Sequence, residues 1–205
     1  MPDSHVITNL SWDSPQDFYN SLSSKSRNHL RRNVLRNESK FKIDIIPGTD
    51  SQFEIDYWYK LYLNVKNKSL ELNTFALPRK LFNQLNENEN WEIVNLTLKN
   101  TQAQANNRPC CVIFSCKTPD AYIPMIIGID YTFNQQFGIY RQALYQLVIR
   151  ARQLGKQKIL LGFSATIEKK KLGAKPVSTF AYMHISDSYN MEALSAISVL
   201  AKNVN

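Results

Sequence analysis

Apolar positions in this chain follow two spacings, three-to-four apart in some stretches and alternating or continuous over short runs in others, which are the periods of helix and strand. A helical start is expected over roughly Pro15 to Ser39, followed by a short strand, Phe41 to Ile46, that the Pro47-Gly48 turn ends. Two helical stretches come next. One runs from Gln52 to Lys66 and carries Phe53, Trp58, Leu61, Tyr62 and Val65; the other begins near Pro78, a residue suited to a first helical turn. Three strand-like runs follow, Trp91 to Lys99, Pro109 to Cys116 and Ala121 to Asp130. The Lys117-Thr118-Pro119-Asp120 turn makes the last two an antiparallel hairpin, and Pro124 and Gly128 mark the third as bulged or edge-exposed.

The clearest helix lies between Gly138 and Leu154, where Tyr140, Ala143, Leu144, Leu147, Val148, Ala151 and Leu154 hold the helical spacing and Gly155 supplies a stop. The run KILLGF, Lys158 to Phe163, reads as a buried strand, and Thr166 to Leu172 as a short helix closed by Gly173. A strand from Val177 to Ile185 and an amphipathic helix with Met191, Leu194, Ile197 and Leu200 complete the expected series. The order predicts an α/β protein with a mixed central sheet and helices on both faces.

With 205 residues and 43% hydrophobic content, the chain can bury one good core, so a single domain over 1–205 is expected. An aromatic share of 11% argues against disorder. No run approaches the roughly 18 apolar residues of a membrane span, and MPDSHVITNLSW lacks the build of a secretory signal, so a soluble cytoplasmic protein is expected. Cys110, Cys111 and Cys116 fall in the apolar run PCCVIFSC and read as core thiols. With His5, His29 and His184 scattered, no metal site is expected.

Charge is concentrated. Of the net +8, the segment Lys25 to Lys42 contributes all but two, with seven basic residues and one acidic, Glu38. On a helical wheel Lys25, Arg32, Arg36 and Lys40 share one side and Leu30, Val34 and Leu35 the other, while Arg27 and Arg31 fall inside the apolar arc. One reading is a solvated face with snorkelling basic stems. The other is a surface for a polyanion, with Arg27 and Arg31 as contacts, since a half-buried cation needs an anionic partner.

The element order resembles the GNAT acyltransferase fold, and the local sequence resembles its branch of Fem-type aminoacyltransferases and BioF-like acyltransferases. SKSRNHLRRNVLR is similar to the basic opening helix of that branch. GIDYTFNQQFGIYRQALYQLVIRARQLGKQKILLGFSATIEKKKLGA is similar to its core pattern, with Tyr131, Tyr145, Ala151, Gly155, Gly162, Lys169 and Gly173 at the family positions and Lys170 an alternative to Lys169. One departure stands out. Where many coenzyme A-using members carry R-x-x-G-x-G, this chain has Asn134-Gln135-Gln136-Phe137-Gly138-Ile139-Tyr140-Arg141, with a single glycine.

The resemblance implies an N-acyltransferase that moves an acyl group from acyl-CoA, a carrier protein or aminoacyl-tRNA onto an amine. It implies Asp130 as base or amine anchor, Tyr131 or Tyr140 to orient the acyl group or protonate the leaving atom, and Tyr182 as a rival acid. Gln136, Gly138, Tyr140 and Arg141 are the expected donor-binding residues, and Arg27, Arg31, Ser164 and Lys169 the expected substrate or anion contacts. Asp130 also reads as a turn aspartate, the tyrosines as core residues, and Lys169 to Lys171 as a solvated face. Ser164 in GFSAT lacks the second glycine of a nucleophile turn, and Ser164 or Thr166 reads better as a helix cap. The alternative to catalysis is a GNAT-like domain that binds a polyanion through its basic helix. Relatives with two such domains make a longer protein compatible with the sequence.

Overall fold

The computed structural model describes residues 2–47, 54–68, 75–99, 108–180 and 182. In chain order the elements are β1 (Ser4–Thr8), α1 (Pro15–Ser21), α2 (Ser24–Leu30), a π turn (Arg31–Leu35), α3 (Arg36–Glu38) and β2 (Phe41–Pro47). Then come α4 (Ile55–Lys68), α5 (Arg79–Asn86), β3 (Trp91–Leu98), β4 (Cys111–Lys117) and β5 (Ala121–Ile129). The last are α6 (Asn134–Phe137), α7 (Ile139–Gln153), β6 (Lys158–Leu160), α8 (Thr166–Lys171) and β7 (Lys175–Val177).

The expected helical start is broken into pieces, each by a local cause. Ser14 and Asp17 form a reciprocal cap at the start of α1, with Pro15 in the first turn. Leu22 is extended, and Ser23 caps α2 by accepting from the Ser26 N–H. Arg27 is half-buried and donates to the Leu22 and Asn20 carbonyls at 2.6 and 3.2 Å, so its anionic partner is the C-terminal end of α1. Arg31 is exposed, a correction to the helical wheel. The buried stripe runs through Ser26, Leu30 and Val34, and the π turn winds at more residues per turn than 3.6, carrying Arg31 outward.

The seven strands form one mixed sheet in the order β2-β3-β4-β5-β6-β1-β7. From β2 to β5 all pairings are antiparallel, β5 and β6 are parallel, and β1 is antiparallel to both neighbours. The five-residue β1 is not foreshadowed by the pattern of the sequence, yet it holds β6 in place. Of the strand expected from Val177 to Ile185, Val177 ends β7, Ser178 to Phe180 and Tyr182 are outside any strand, and residues 181 and 183–185 lie outside the described residues. The helix expected around Met191 to Leu200, together with Gln52 and Phe53, lies outside the described residues. No helix among the described residues is long and apolar enough to cross a membrane.

Two cores sandwich the sheet. On one face α7, α2 and the π turn bury Leu30, Val34, Ile139, Leu147 and Val148 against Leu96, Ile113 and Ile129. On the other, α4 and α5 press Trp58, Leu61 and Phe82 onto Ile93, Val112 and Phe114, with Phe82 and Phe114 edge-to-face at 5.1 Å. Gly128 permits this second contact. A Cβ there would lie 2.6 Å from the Tyr62 nitrogen and 2.7 Å from the Leu61 carbonyl carbon, both backbone atoms of α4. Cys110 and Cys111 are fully buried, and burial pushes the Cys110 thiol up to about 12.

Glu92, 2% exposed on β3, accepts two bonds from the Arg150 guanidinium of α7 at 2.8 and 2.7 Å and one from the Tyr122 hydroxyl of β5 at 2.8 Å. Burial pushes the Glu92 carboxyl upward, but Arg150 and Tyr122 outweigh it and hold it below its ordinary value.

Three outcomes follow for stability. Arg150→Met leaves a buried carboxylate unpaired and should cost about 3–5 kcal/mol in urea unfolding. Gly128→Ala should cost about 1–3 kcal/mol, because the contact is backbone on backbone. Since the folded Glu92 carboxyl lies below its unfolded value, its stabilisation is present above the unfolded value and lost as pH falls through the folded one, so Glu92→Gln should flatten part of the acid limb of stability against pH.

Candidate active site

The parallel ladder between β5 and β6 is two pairs long, Ala121 with Lys158 and Tyr122 with Ile159, and then the strands diverge. The register shows why. The Asp120 carbonyl accepts from the Lys158 N–H at 3.2 Å, so even-numbered residues of this part of β5 face β6. The next residue in that series after Tyr122 is Pro124, which has no N–H to donate. Past the split β6 bonds to β1 instead, through the His5 N–H to the Gly162 carbonyl at 3.0 Å and the Leu161 N–H to the His5 carbonyl at 2.8 Å.

The register against β4 shifts between Phe114 and Ser115, leaving Met125 as the extra residue of a bulge. This reverses the parity. Asp130 N–H donates to the Cys110 carbonyl at 2.8 Å, so even-numbered residues beyond the bulge face β4 and Ile127 and Ile129 face the other way. The Ile129 carbonyl on that side accepts from the Asn64 side chain at 3.1 Å. The N–H and C=O of Ile127 point into the gap.

That gap is a cleft of about 450 Å³. Its floor is apolar, with Ile113, Leu144 and Leu147, and its rims are Ile123–Ile127 and Leu160–Ser164. Four polar side chains line it, Ser4, Tyr140, Ser164 and Lys169. Burial first, then the nearby charge of Glu168, pushes the Tyr140 phenol upward, so it keeps its proton at neutral pH. Lys169 is 3% exposed and donates to the Gly162 carbonyl at 3.1 Å and to the Phe163 carbonyl. Its ammonium thus ties α8 to the loop that closes β6.

The N-terminus of α7 is partly capped by Asn134. Gly138 has φ +65, its N–H donates to the Asn134 carbonyl at 2.9 Å, and the Tyr140 N–H donates to the Asn134 side chain at 3.0 Å. A Cβ on Gly138 would lie 3.0 Å from the Asn33 carbonyl oxygen, a group the π turn carries up to the helix end. Asn37 adds a bond to the Phe137 carbonyl at 3.2 Å. A phosphate seat needs free N–H groups and open approach. Here Asn134 already takes the Tyr140 N–H, one of the first-turn donors a coenzyme A pyrophosphate would use.

The structure brings together Tyr140, Ser164 and Lys169 at the cleft and places the other expected residues elsewhere. Asp130 sits in the turn after β5, where its carboxylate accepts from the Thr132 N–H at 3.0 Å. Tyr131 packs beneath Lys68, whose ammonium is 4.1 Å from the ring centre. Gln136 is exposed, and Arg141 pairs with Glu168 at 3.0 Å. The same Glu168 bonds His29 of α2 at 3.1 Å, so one carboxylate joins α2, α7 and α8. Tyr182 is 95% exposed, and Arg31 bonds only weakly to Asn28 at 3.4 Å. Neither Ser164 nor Thr166 caps α8. Ser164 and the cap position Ala165 are left-handed, at φ +40 and +48, whereas a capping side chain requires extended backbone. Ile127 and Pro124 had no side-chain signature of a site, because both act through backbone groups whose direction only the register reveals.

No protein-family model and no curated protein sequence matches this chain. Solved structures do. FemX is 9% identical, with a TM-score of 0.58 over 85% of this chain and 59% of its own. L-PGS from Bacillus licheniformis is 12% identical, with a TM-score of 0.53 over 86% of this chain and 57% of its own. The C-terminal domain of a protein named as a lysylphosphatidylglycerol synthetase from Agrobacterium fabrum is 10% identical, with a TM-score of 0.52 over 84% and 50%. The chain spans less than two thirds of each of these proteins. At such identities the likeness is one of fold: the chain has the GNAT fold, in the form seen in FemX.

Replacing Pro124 by alanine restores the missing donor. The backbone N–H gained at position 124 should bond to the Leu160 carbonyl and become protected in amide hydrogen exchange, with the cleft narrowed.

Proposed function

We propose that this chain transfers an acyl or aminoacyl group from an activated ester to an amine in the cleft between β5 and β6. The observation that carries the reading is the Ile127 N–H, held by its strand and turned into a mostly apolar cleft. A donor carbonyl seated there has a fixed hydrogen-bond donor for the negative charge that grows on its oxygen as the amine attacks. The Tyr140 phenol, kept protonated by burial, is the acid for the departing oxygen or sulfur. Lys169 holds the Gly162 and Phe163 carbonyls and so fixes the opposite rim.

The Asn134 cap on the Tyr140 N–H and the single glycine of this segment argue for a donor that is not held by a pyrophosphate there. Lys25, Arg31, Arg32, Arg36 and Lys40 are all exposed along α2, the π turn, α3 and the turn that follows it. The His29–Glu168 pair joins this basic face to α8, whose Lys169 lines the cleft. A donor ester carried on RNA suits both features, since backbone phosphates can exchange their counterions for this basic face while the ester enters the cleft. Aminoacyl-tRNA is the donor we assign on that basis, with the acyl-CoA reading its competitor.

A thermal-shift comparison tests the assignment. Charged tRNA should stabilise the chain more than uncharged tRNA, in a salt-dependent way, and acetyl-CoA should not stabilise it. Stabilisation by acetyl-CoA alone would overturn the donor assignment. Absence of transfer from either donor to any amine would overturn the transferase reading. Tyr140→Phe should lower turnover by about 100-fold or more with KM little changed, as loss of a general acid does.

A further inference from the structure

A second open cavity, about 810 Å³, adjoins the cleft at Ser164, the residue that borders both. His5 lies in its wall, 2% exposed on β1. The His5 Nδ1 lies 3.3 Å from the Gly162 carbonyl oxygen. A carbonyl can only accept, so this contact favours the neutral tautomer with its proton on Nδ1 and a lone pair on Nε2. Nε2 is buried and has no hydrogen-bond partner among the described residues. Of the two carboxylates on this wall, Glu168 is spent on His29 and Arg141, and Asp3 is exposed. A buried acceptor without a partner is costly, and an N–H donor that reaches it removes the cost.

We propose that this cavity is the seat of the acceptor amine and that His5 Nε2 takes the amine proton during transfer. The inference rests on the transferase reading above and adds the second substrate's site to it. Gly162 is the hinge of the arrangement, because its carbonyl accepts from Lys169 at the cleft and from His5 at the cavity. In the step, the neutral amine nitrogen bonds to the acyl carbon and the bond from that carbon to the carrier oxygen or sulfur breaks. One amine proton passes to Nε2, and the leaving atom gains one from the Tyr140 phenol, which is then restored through solvent from His5.

The test uses the full chain carrying nitrogen-15 histidine, with His5 assigned by its loss in His5→Asn. Long-range proton–nitrogen NMR should show the Nδ1–H form. Titration with n-butylamine should shift the His5 Nε2 signal saturably, and butyltrimethylammonium, equal in charge but without an N–H, should not. An Nε2–H form, equal shifts with both compounds or no shift would overturn the proposal. His5→Asn keeps a donor for the Gly162 carbonyl and removes the base. It should lower transfer to n-butylamine at least tenfold, with partial recovery on adding imidazole; unchanged transfer would overturn the proton role. A saturable butylamine shift without transfer from any donor supports the amine seat and faults the transferase reading instead.

Discussion

The cleft depends on one buried ionic contact. Glu92, Tyr122 and Arg150 come from β3, β5 and α7, and they meet beside the place where β5 and β6 pair. A split sheet opens a wedge, and a wedge needs its closed end fixed. A pair of charges in the interior is a poor source of net stability compared with a packed apolar substitute, but its geometry is specific. Here that specificity ties β5 to β3 and α7 at the closed end of the wedge.

Two further features turn the fixed point into a cavity. Pro124 withholds the donor that would have continued the ladder, and β1 draws β6 to its own side through His5 and Gly162. The bulge at Met125 then rotates the backbone so that Ile127 faces the gap. Side chains contribute little to this; it is a matter of which backbone groups are paired and which are left over. The same reasoning accounts for the helix end that faces the gap. Asn134 takes the Tyr140 N–H there, so one of the donors that would hold an anion at this helix end is already paired.

Much of the frame was legible in the sequence. The spacing from Tyr140 to Leu154 gave α7, the KTPD turn gave the β4–β5 hairpin, and Pro124 announced an irregular strand. What escaped had physical reasons. SHVIT is short and sets a histidine at a buried position, so neither length nor alternation marks it as the strand it is. The π turn breaks the phase on which the placement of Arg31 relied. Ile127 is an ordinary apolar residue whose contribution is its peptide nitrogen. Lys169, by contrast, was singled out by its place in a pattern and is found at the cleft, although it is tied to carbonyls and not set on a solvated face.

The position of β1 governs the order in which this protein can assemble. Val6 pairs with Leu160 and Ser4 with Val177, so β1 is made long before its partners. During synthesis it must wait as an unpaired edge while β2 to β5, whose partners lie nearer in sequence, can already close. The cleft has no second wall until that long-range docking is done. A nascent chain of this kind holds a finished scaffold well before it holds a site, and the step that completes one wall of the cleft is also the slowest contact its topology demands.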